Sequence, residues 1–322
     1  MTLFLDERTV STLVNMDDAL QSTEAVFHDA GQSGVVNVPR VRAPLAKGIL
    51  RITAAVWTAR GYYGVKVSST SVFGRNAGRL FLLYQEDSGT AVAAVQVFQM
   101  GTLRTGAASG VATKYMARKD ARILGVIGPG RQAKTQIEAI CRVRSIEEIH
   151  VFGRKQEALS QFCAEMSDAV KIDVRPSDSA ERAVAGADII VTATTSSEPV
   201  VLGKWLPPGV HINAIGANYE SRRELDTKVV TRAAVVATDD PEQVRYEAAD
   251  LAVPVRDGVF SWDKVLPLAS IVAGHQPGRT SDSDITIYKS LGVAFEDVAL
   301  AVTAYERALK SGAGVKLPDL AG

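Results

Sequence analysis

The run "VIGPGRQAKTQ" places Gly128, Gly130 and Ala133 in a G-x-G-x-x-A spacing. It follows an apolar strand pattern and precedes a helical one, the context in which that spacing has a physical meaning. The first glycine permits a tight turn and the second lets a pyrophosphate approach the backbone. The alanine lets the helix pack closely, so free amides at the helix N-terminus aim at phosphate. The next strand ends in "VFGRKQEA", where Gly153 is followed by Arg154 and Lys155 instead of the acid that would hydrogen-bond a ribose 2′-hydroxyl. Two cations suit a 2′-phosphate. The reading is therefore a dinucleotide site that prefers NADP (NADPH), with NAD possible, set against the plainer one of two solvated cations at a helix start. A second stretch, "HINAIGANYESRRELD", begins as a buried strand and then crowds Asn218, Glu220, Arg222, Arg223, Glu224 and Asp226 behind a glycine. It reads as the rim of a catalytic site.

These residues need elements to position them. Apolar residues at Met16, Ala19, Leu20, Val26 and Phe27 keep the spacing of an amphipathic helix over about 16–31, with Asn15 placed to cap it. "GILRITAAVW", "GYYGVKVSST", "RLFLLYQED" and "TAVAAVQVF" alternate between turn residues and predict strands of a mixed or antiparallel sheet. "LRTGAASGVATKYMA" reads as a helix of small residues. From Arg122 the character changes. "RILGVIG", "EIHVFG", "VKIDVRP", "ADIIVTATT" and "VHINAIG" are strands, several of them separated by helical segments. That alternation predicts a doubly wound parallel sheet of the Rossmann type beside an α+β N-terminal domain. A last helix is expected near 293–310, and the Gly/Pro-rich tail "GAGVKLPDLAG" is expected to lie loosely over the surface. The division expected is 1–114 with about 293–322 as a substrate-binding and dimerisation domain, and 115–292 as the dinucleotide domain.

The bulk properties narrow the partners. Lys plus Arg and Asp plus Glu both number 36 in 322 residues, and the charges are interspersed, which leaves no field to attract nucleic acid or an anionic membrane. A small molecule is the favoured partner. No apolar run is long enough for a membrane span, and "MTLFLDERTV" lacks the basic start and longer apolar core of a signal peptide, so a cytoplasmic location is expected. Cys141 and Cys163 fall in helix interiors and read as reduced packing residues. His28, His150, His211 and His275 are never at ligand spacing, so no metal site is expected.

Five stretches, "LRTGAASGVATKYMARKDA", "GPGRQAKTQ", "GADIIVTATTSSEPV", "HINAIGA…RELD" and "TIYKSLGVAFED", resemble the ornithine cyclodeaminase and mu-crystallin family, in order and over almost the whole length. The resemblance implies hydride exchange at the α-carbon of an amino or imino acid, in a homodimer built through the N-terminal domain. It implies that Arg40, Lys66 and Arg104 hold the substrate carboxylate, with Leu291 beside them. It extends the cofactor contacts to Arg131, Gln132, Thr194, Asn213, Ala214 and Ser290. The residues agree in part. A guanidinium fork grips a carboxylate bidentately. A lysine between apolar strand residues is costly unless paired or functional, although a snorkelling edge-strand lysine has the same pattern. Arg104 is expected to open its helix, where the dipole disfavours a cation unless an anion is also bound. Two departures bear on chemistry. Asn218 stands where the cyclodeaminase and alanine dehydrogenase branches carry an aspartate acid/base, and Lys289 stands where the cyclodeaminase type has aspartate, as in the ketimine reductase branch. The expected activity is reduction of an α-imino acid, cyclic or linear, with Lys66 and Asn218 as catalytic residues. The alternatives are an ornithine cyclodeaminase, an alanine dehydrogenase-like enzyme and a non-catalytic ligand-binding protein.

Overall fold

Asn15 starts the first long helix as its sequence suggests. Its side chain accepts from the Asp18 amide while Asp18 accepts from the Asn15 amide, a reciprocal capping box. The computed structural model describes residues 2–70 and 79–318. It divides into two units, Met1–Arg104 with Gly292–Gly322, and Thr105–Leu291. The first unit opens with β1 (Thr2–Leu5), α1 (Glu7–Leu13) and α2 (Met16–Gly31). Four antiparallel strands follow, β2 (Val36–Leu45), β3 (Gly48–Trp57), β4 (Tyr62–Thr70) and β5 (Leu80–Gln85), then β6 (Ala91–Gln96) and α3 (Phe98–Met116). The division falls within α3 and not at the expected 114/115. Gly106 explains the earlier position: a Cβ there would lie 2.5 Å from the Thr135 carbonyl, so α3 is already packed into the second unit at that point.

The second unit alternates strand and helix. It contains β7 (Ile123–Ile127), α4 (Arg131–Val143), β8 (Glu148–Phe152), α5 (Gln156–Val170), β9 (Val174–Pro176), α6 (Ala180–Val184), β10 (Ile189–Thr192) and β11 (His211–Ala214). It continues through α7 (Thr227–Arg232), β12 (Val235–Thr238), α8 (Pro241–Glu247), α9 (Ala249–Arg256), β13 (Val265–Pro267), α10 (Leu268–Val272) and β14 (Thr286–Lys289). Every strand pair is parallel, in the order β13-β12-β14-β11-β10-β7-β8-β9. The chain winds outward from β7 through β8 to β9, then returns to build the other side from β10. The loop after β7 therefore lies at the topological switch point, where open α/β sheets bind ligands. "VKIDVRP" yields only the three residues of β9, an edge strand that tolerates Pro176 because no neighbour needs its missing N–H. Cys141 and Cys163 are free, and burial pushes both thiols up, to about 12 and about 11. They are packing residues with little thiolate to react.

The chain ends back in the first unit with α11 (Ala294–Ser311) and β15 (Val315–Leu317). The tail is not loose over its described part: β15 pairs antiparallel with β1, which in turn pairs parallel with β6. Both additions escape a periodicity argument because they are three and four residues long. The unit's sheet runs β15-β1-β6-β5-β4-β3-β2, and α11 packs on one face with Phe295 edge-on to Phe27 of α2. A bulge between Val38 and Val41 shifts the parity of β2. As a result Val36, Val38, Val41 and Leu45 all point to the face away from α11, together with Val67 and Leu80, and all six are exposed. Among the described residues, no helix is long and apolar enough to cross a membrane.

Candidate active site

The fingerprint loop has the geometry that a dinucleotide requires. Gly128 has φ +99, and a Cβ there would meet the Ala193 carbonyl at 2.6 Å, so only glycine turns this corner. Gly130 caps α4 in extended conformation, and a Cβ would point into open space. That space belongs to a cavity of about 840 Å³ lined by Gly128, Gly130, Arg154, Lys155, Thr194 and Ser196, among others. Ala133 is fully buried against the sheet. Arg131 and Gln132 begin α4 with no acid in the first turn, so nothing opposes an anion at the helix's positive end. The Gln132 Oε1 atom is buried with no hydrogen-bond partner among the described residues and would take a donor from a ligand. Exposed Arg154 and Lys155 stand where β8 ends, on the wall of the same cavity.

Glu224 organises the neighbouring loops. It is fully buried and accepts from Thr192 Oγ1 (3.0 Å), Thr194 N (2.7 Å), Thr194 Oγ1 (2.8 Å), Gly216 N (2.8 Å) and Ala217 N (3.1 Å). One side chain thus ties the loop after β10 to the loop after β11, next to Asn218. Burial pushes its carboxyl up, against the pull of Lys289 and the Thr194 donors. Asp250 Oδ1 accepts from the amides of Glu224 and Leu225, and its Oδ2 lies 2.9 Å from the Nζ of Lys289, which is itself wholly buried.

Several expected contacts are placed otherwise. Asn213 commits its amide to His211 and Thr113, inside a polar network where burial pushes the His211 imidazole down to about 3 and keeps it neutral. The Ala214 carbonyl takes the Lys289 ammonium and the Ser290 amide. The Ser290 hydroxyl faces Asp239, and Leu291 packs in the core of this unit while its amide donates to Asp239. None of these four lines the cavity. The family resemblance implied ligand contacts for them, whereas here His211 and Thr113 bond Asn213, Lys289 and the Ser290 amide bond the Ala214 carbonyl, and Asp239 meets Ser290 and Leu291. Of the rim charges, Glu220 is exposed to solvent and half-buried Arg222 lies over the Tyr219 ring.

In the first unit three cations converge on two buried acids. Lys66, on β4, donates to Asp297 Oδ2. Arg104 Nη1 donates to Glu296 Oε2 at 2.6 Å, with its Nε 3.4 Å from Asp297 Oδ1. Arg40, in the β2 bulge, donates to the Gly292 carbonyl. Gly292 has φ +74, and a Cβ there would fall 2.5 Å from the Arg104 guanidinium, so glycine serves both the turn and the close approach. Asn37 accepts from the Ala294 amide at the start of α11. Arg104 does not open its helix. Glu7 takes the amides of Phe98 and Gln99 there, so the dipole argument lapses and carboxylates of α11 are the anions that Arg104 meets. Burial beside Phe81 pushes the Lys66 ammonium down to about 8, against the pull of Asp297. Burial works against ionisation of Asp297 too, yet Lys66 and then Arg104 outweigh it and hold the carboxyl below its ordinary value. Taken by themselves, the three cations and two acids named here sum formally to one positive charge.

A family model described as the ornithine cyclodeaminase/mu-crystallin family matches residues 1–312. The chain belongs to that family. An alanine dehydrogenase from Archaeoglobus fulgidus is 35% identical over 323 residues, covering 98% of each chain. The structure of Thermococcus litoralis Δ1-pyrroline-2-carboxylate reductase, in complex with NADH and L-proline, superposes with a TM-score of 0.93 at 34% identity, covering 98% of this chain and 100% of that one. An archaeal alanine dehydrogenase dimer with bound NAD gives 0.92 at 34% identity, covering 98% and 99%. As in the family's Rossmann-type members, the fingerprint here sits on a parallel sheet. The sequence named Glu224 only as one of the rim's charges, with no sign of its burial, and gave no role to three further buried acids, Asp250, Glu296 and Asp297. The signal for the last two was present: "VAFEDVALAV" puts two acids inside an otherwise apolar helix, where a charge survives only if paired. Glu224 and Asp250 had no such signal, because each lies in a polar or mixed stretch.

Proposed function

We propose that the protein is a nicotinamide-dependent reductase that converts an α-imino acid to an L-amino acid. The observation that carries this reading is the Arg40, Lys66 and Arg104 set around Glu296 and Asp297. A buried, prepaid array of this kind orients a planar carboxylate without reorganising at the moment of reaction. The dinucleotide, when bound, supplies the hydride that adds to the imine carbon. Lys66 holds the carboxylate or gives a proton to the nitrogen of a neutral imine. An ammonium that titrates near 8 is well matched to that proton transfer. Asn218 can hydrogen-bond and position but does not ionise. With Asn218 in this place the rim would lack a carboxylate base for deaminating ornithine, which reduction of a preformed imine does not need. Loss of nicotinamide absorbance with Δ1-pyrroline-2-carboxylate, or with 2-oxo acids plus ammonia, tests the activity. L-Ornithine with NAD is expected to release no sustained ammonia. Proline and ammonia formed at rates comparable with imine reduction would establish the cyclodeaminase instead.

The cofactor reading is NADPH over NADH, supported by Arg154 and Lys155 on the cavity wall with no acid at the end of β8. Arg154→Ala is expected to raise KM for NADPH about 10-fold or more, the worth of a charge-assisted contact, and to affect NADH less. Equal losses with both cofactors would remove the 2′-phosphate from the argument. The exposed face formed by Val36, Val38, Val41, Leu45, Val67 and Leu80 fits burial against a second copy of the chain. Sedimentation at micromolar concentration should show a dimer that Val38→Asp with Val41→Asp dissociates. A wild-type monomer would reject this assembly.

A further inference from the structure

Resting on the reductase reading, we infer that the Thr53 hydroxyl is a further substrate-binding group, donating a hydrogen bond to the carboxylate held by Arg40 and Lys66. The register of the first sheet carries the argument. On β3, Thr53 pairs directly with Lys66 of β4, so the two side chains leave the sheet on the same face. On the other side β2 bulges between Val38 and Val41, which places Arg40 in the stretch opposite Thr53. The face is the one that α11 covers, since Lys66 meets Asp297 there. Thr53 is 6% exposed, and Ala55 and Trp57 are buried further along the same face. Ala55 is apolar, and the Trp57 indole N–H donates to Asp29 at 2.8 Å. The Thr53 Oγ1 atom is shielded from solvent as well, but it has no hydrogen-bond partner among the described residues.

A buried hydroxyl left unpaired costs stability, and valine would fill nearly the same volume without that cost. The strand neighbours cannot take its proton. Ammonium and guanidinium groups only donate, so neither Lys66 nor Arg40 can accept from Thr53. An anion bound between them can. Directly opposed side chains start about 5 Å apart at Cβ, and a carboxylate that bridges Arg40 on β2 and Lys66 on β4 must cross β3 where Thr53 stands. The hydroxyl then makes a charge-assisted O–H···O⁻ bond. Arginine and lysine reach the carboxylate on long flexible stems, whereas threonine is short and stiff at χ1, so its single proton fixes how the carboxylate is turned. Thr53 keeps its proton throughout. The carboxylate is the same before and after hydride addition, so the contact is equally strong in ground and transition states and its loss falls on KM.

The test compares wild type, Thr53→Val and Thr53→Ser in the reduction of Δ1-pyrroline-2-carboxylate and of 2-oxo acids with ammonia, with the melting temperature measured in the absence of substrate. Thr53→Val should raise KM for the imino acid about 10–100-fold, the worth of a hydrogen bond to a charged group, and change kcat by less than about threefold. Its melting temperature should be unchanged or up to about 5 °C higher, because an unpaired buried hydroxyl has been removed. Thr53→Ser retains the donor and should keep KM within about threefold of wild type. A KM unmoved by Thr53→Val overturns the inference and leaves the reductase reading standing. A clearly lower melting temperature in Thr53→Val would give the hydroxyl a structural partner, and a loss confined to kcat would put it at the reacting nitrogen; either overturns the carboxylate assignment. Failure of the wild type to reduce any imine overturns both readings.

Discussion

Lys66→Met is expected to lower kcat/KM for imine reduction by about 10²- to 10⁴-fold, the range for loss of a positioned proton donor or charge, and to lower the melting temperature as well. Both effects come from one contact. The ammonium is paired with Asp297, whose side chain has no solvent exposure. Removing it leaves that carboxylate buried with Arg104 and, more weakly, Arg40 to answer it, and breaking a buried pair from one side costs several kcal/mol. Adding Asp297→Asn removes the orphaned charge. The double variant should recover the melting temperature but not the rate. Recovery of both would show that Lys66 served only to neutralise Asp297.

The same lysine sets a pH dependence with two opposite signs. Its ammonium titrates near 8 in the folded protein, against 10.5 ordinarily. Since kcat/KM reports the free enzyme, activity should be flat below about pH 8 and fall above it. Lys66→Arg, whose guanidinium stays charged, should abolish that fall even if its rate is lower. Stability moves the other way. Between about pH 8 and 10.5 the unfolded chain binds the Lys66 proton and the folded chain has released it, so this group's contribution to stability rises with pH across the window. An activity limb that persists unchanged in Lys66→Arg would assign it to another group.

Glu224→Ala is expected to lower the melting temperature by about 10 °C. The carboxylate accepts five hydrogen bonds from four residues. A buried donor left unmade costs about 1–3 kcal/mol, partly recovered by water and loop relaxation, so a net loss of about 3–5 kcal/mol is reasonable. A unit of this size loses about 2–4 °C per kcal/mol. Because Glu224 ties Thr194, on the cavity wall, to Gly216 and Ala217, affinity for the dinucleotide should weaken as well. Differential scanning calorimetry with and without cofactor measures both. A melting temperature within about 2 °C of wild type would mean that the two loops hold their geometry without it.

The parallel sheet and its dinucleotide loop were legible in the sequence because their causes are local. Gly128 must turn at positive φ, Gly130 must leave open space, and strand and helix periods alternate over short windows. The same holds for α2, where Asn15 and Asp18 are three residues apart. What could not be read was any contact between residues far apart in the chain. Lys66 looked like a lone strand lysine because Asp297, its partner, lies 231 positions away. Arg104 seemed to start a helix because the six residues from Phe98 have no helical signature of their own, and the Glu7 cap comes from 91 positions upstream. The family resemblance implied ligand contacts for Asn213, Ser290 and Leu291, yet a buried histidine bonds the first and Asp239 meets the other two. Sequence spacing determines which backbone a segment adopts, whereas burial and pairing of charge depend on which distant segment packs against it, and only the tertiary structure decides that.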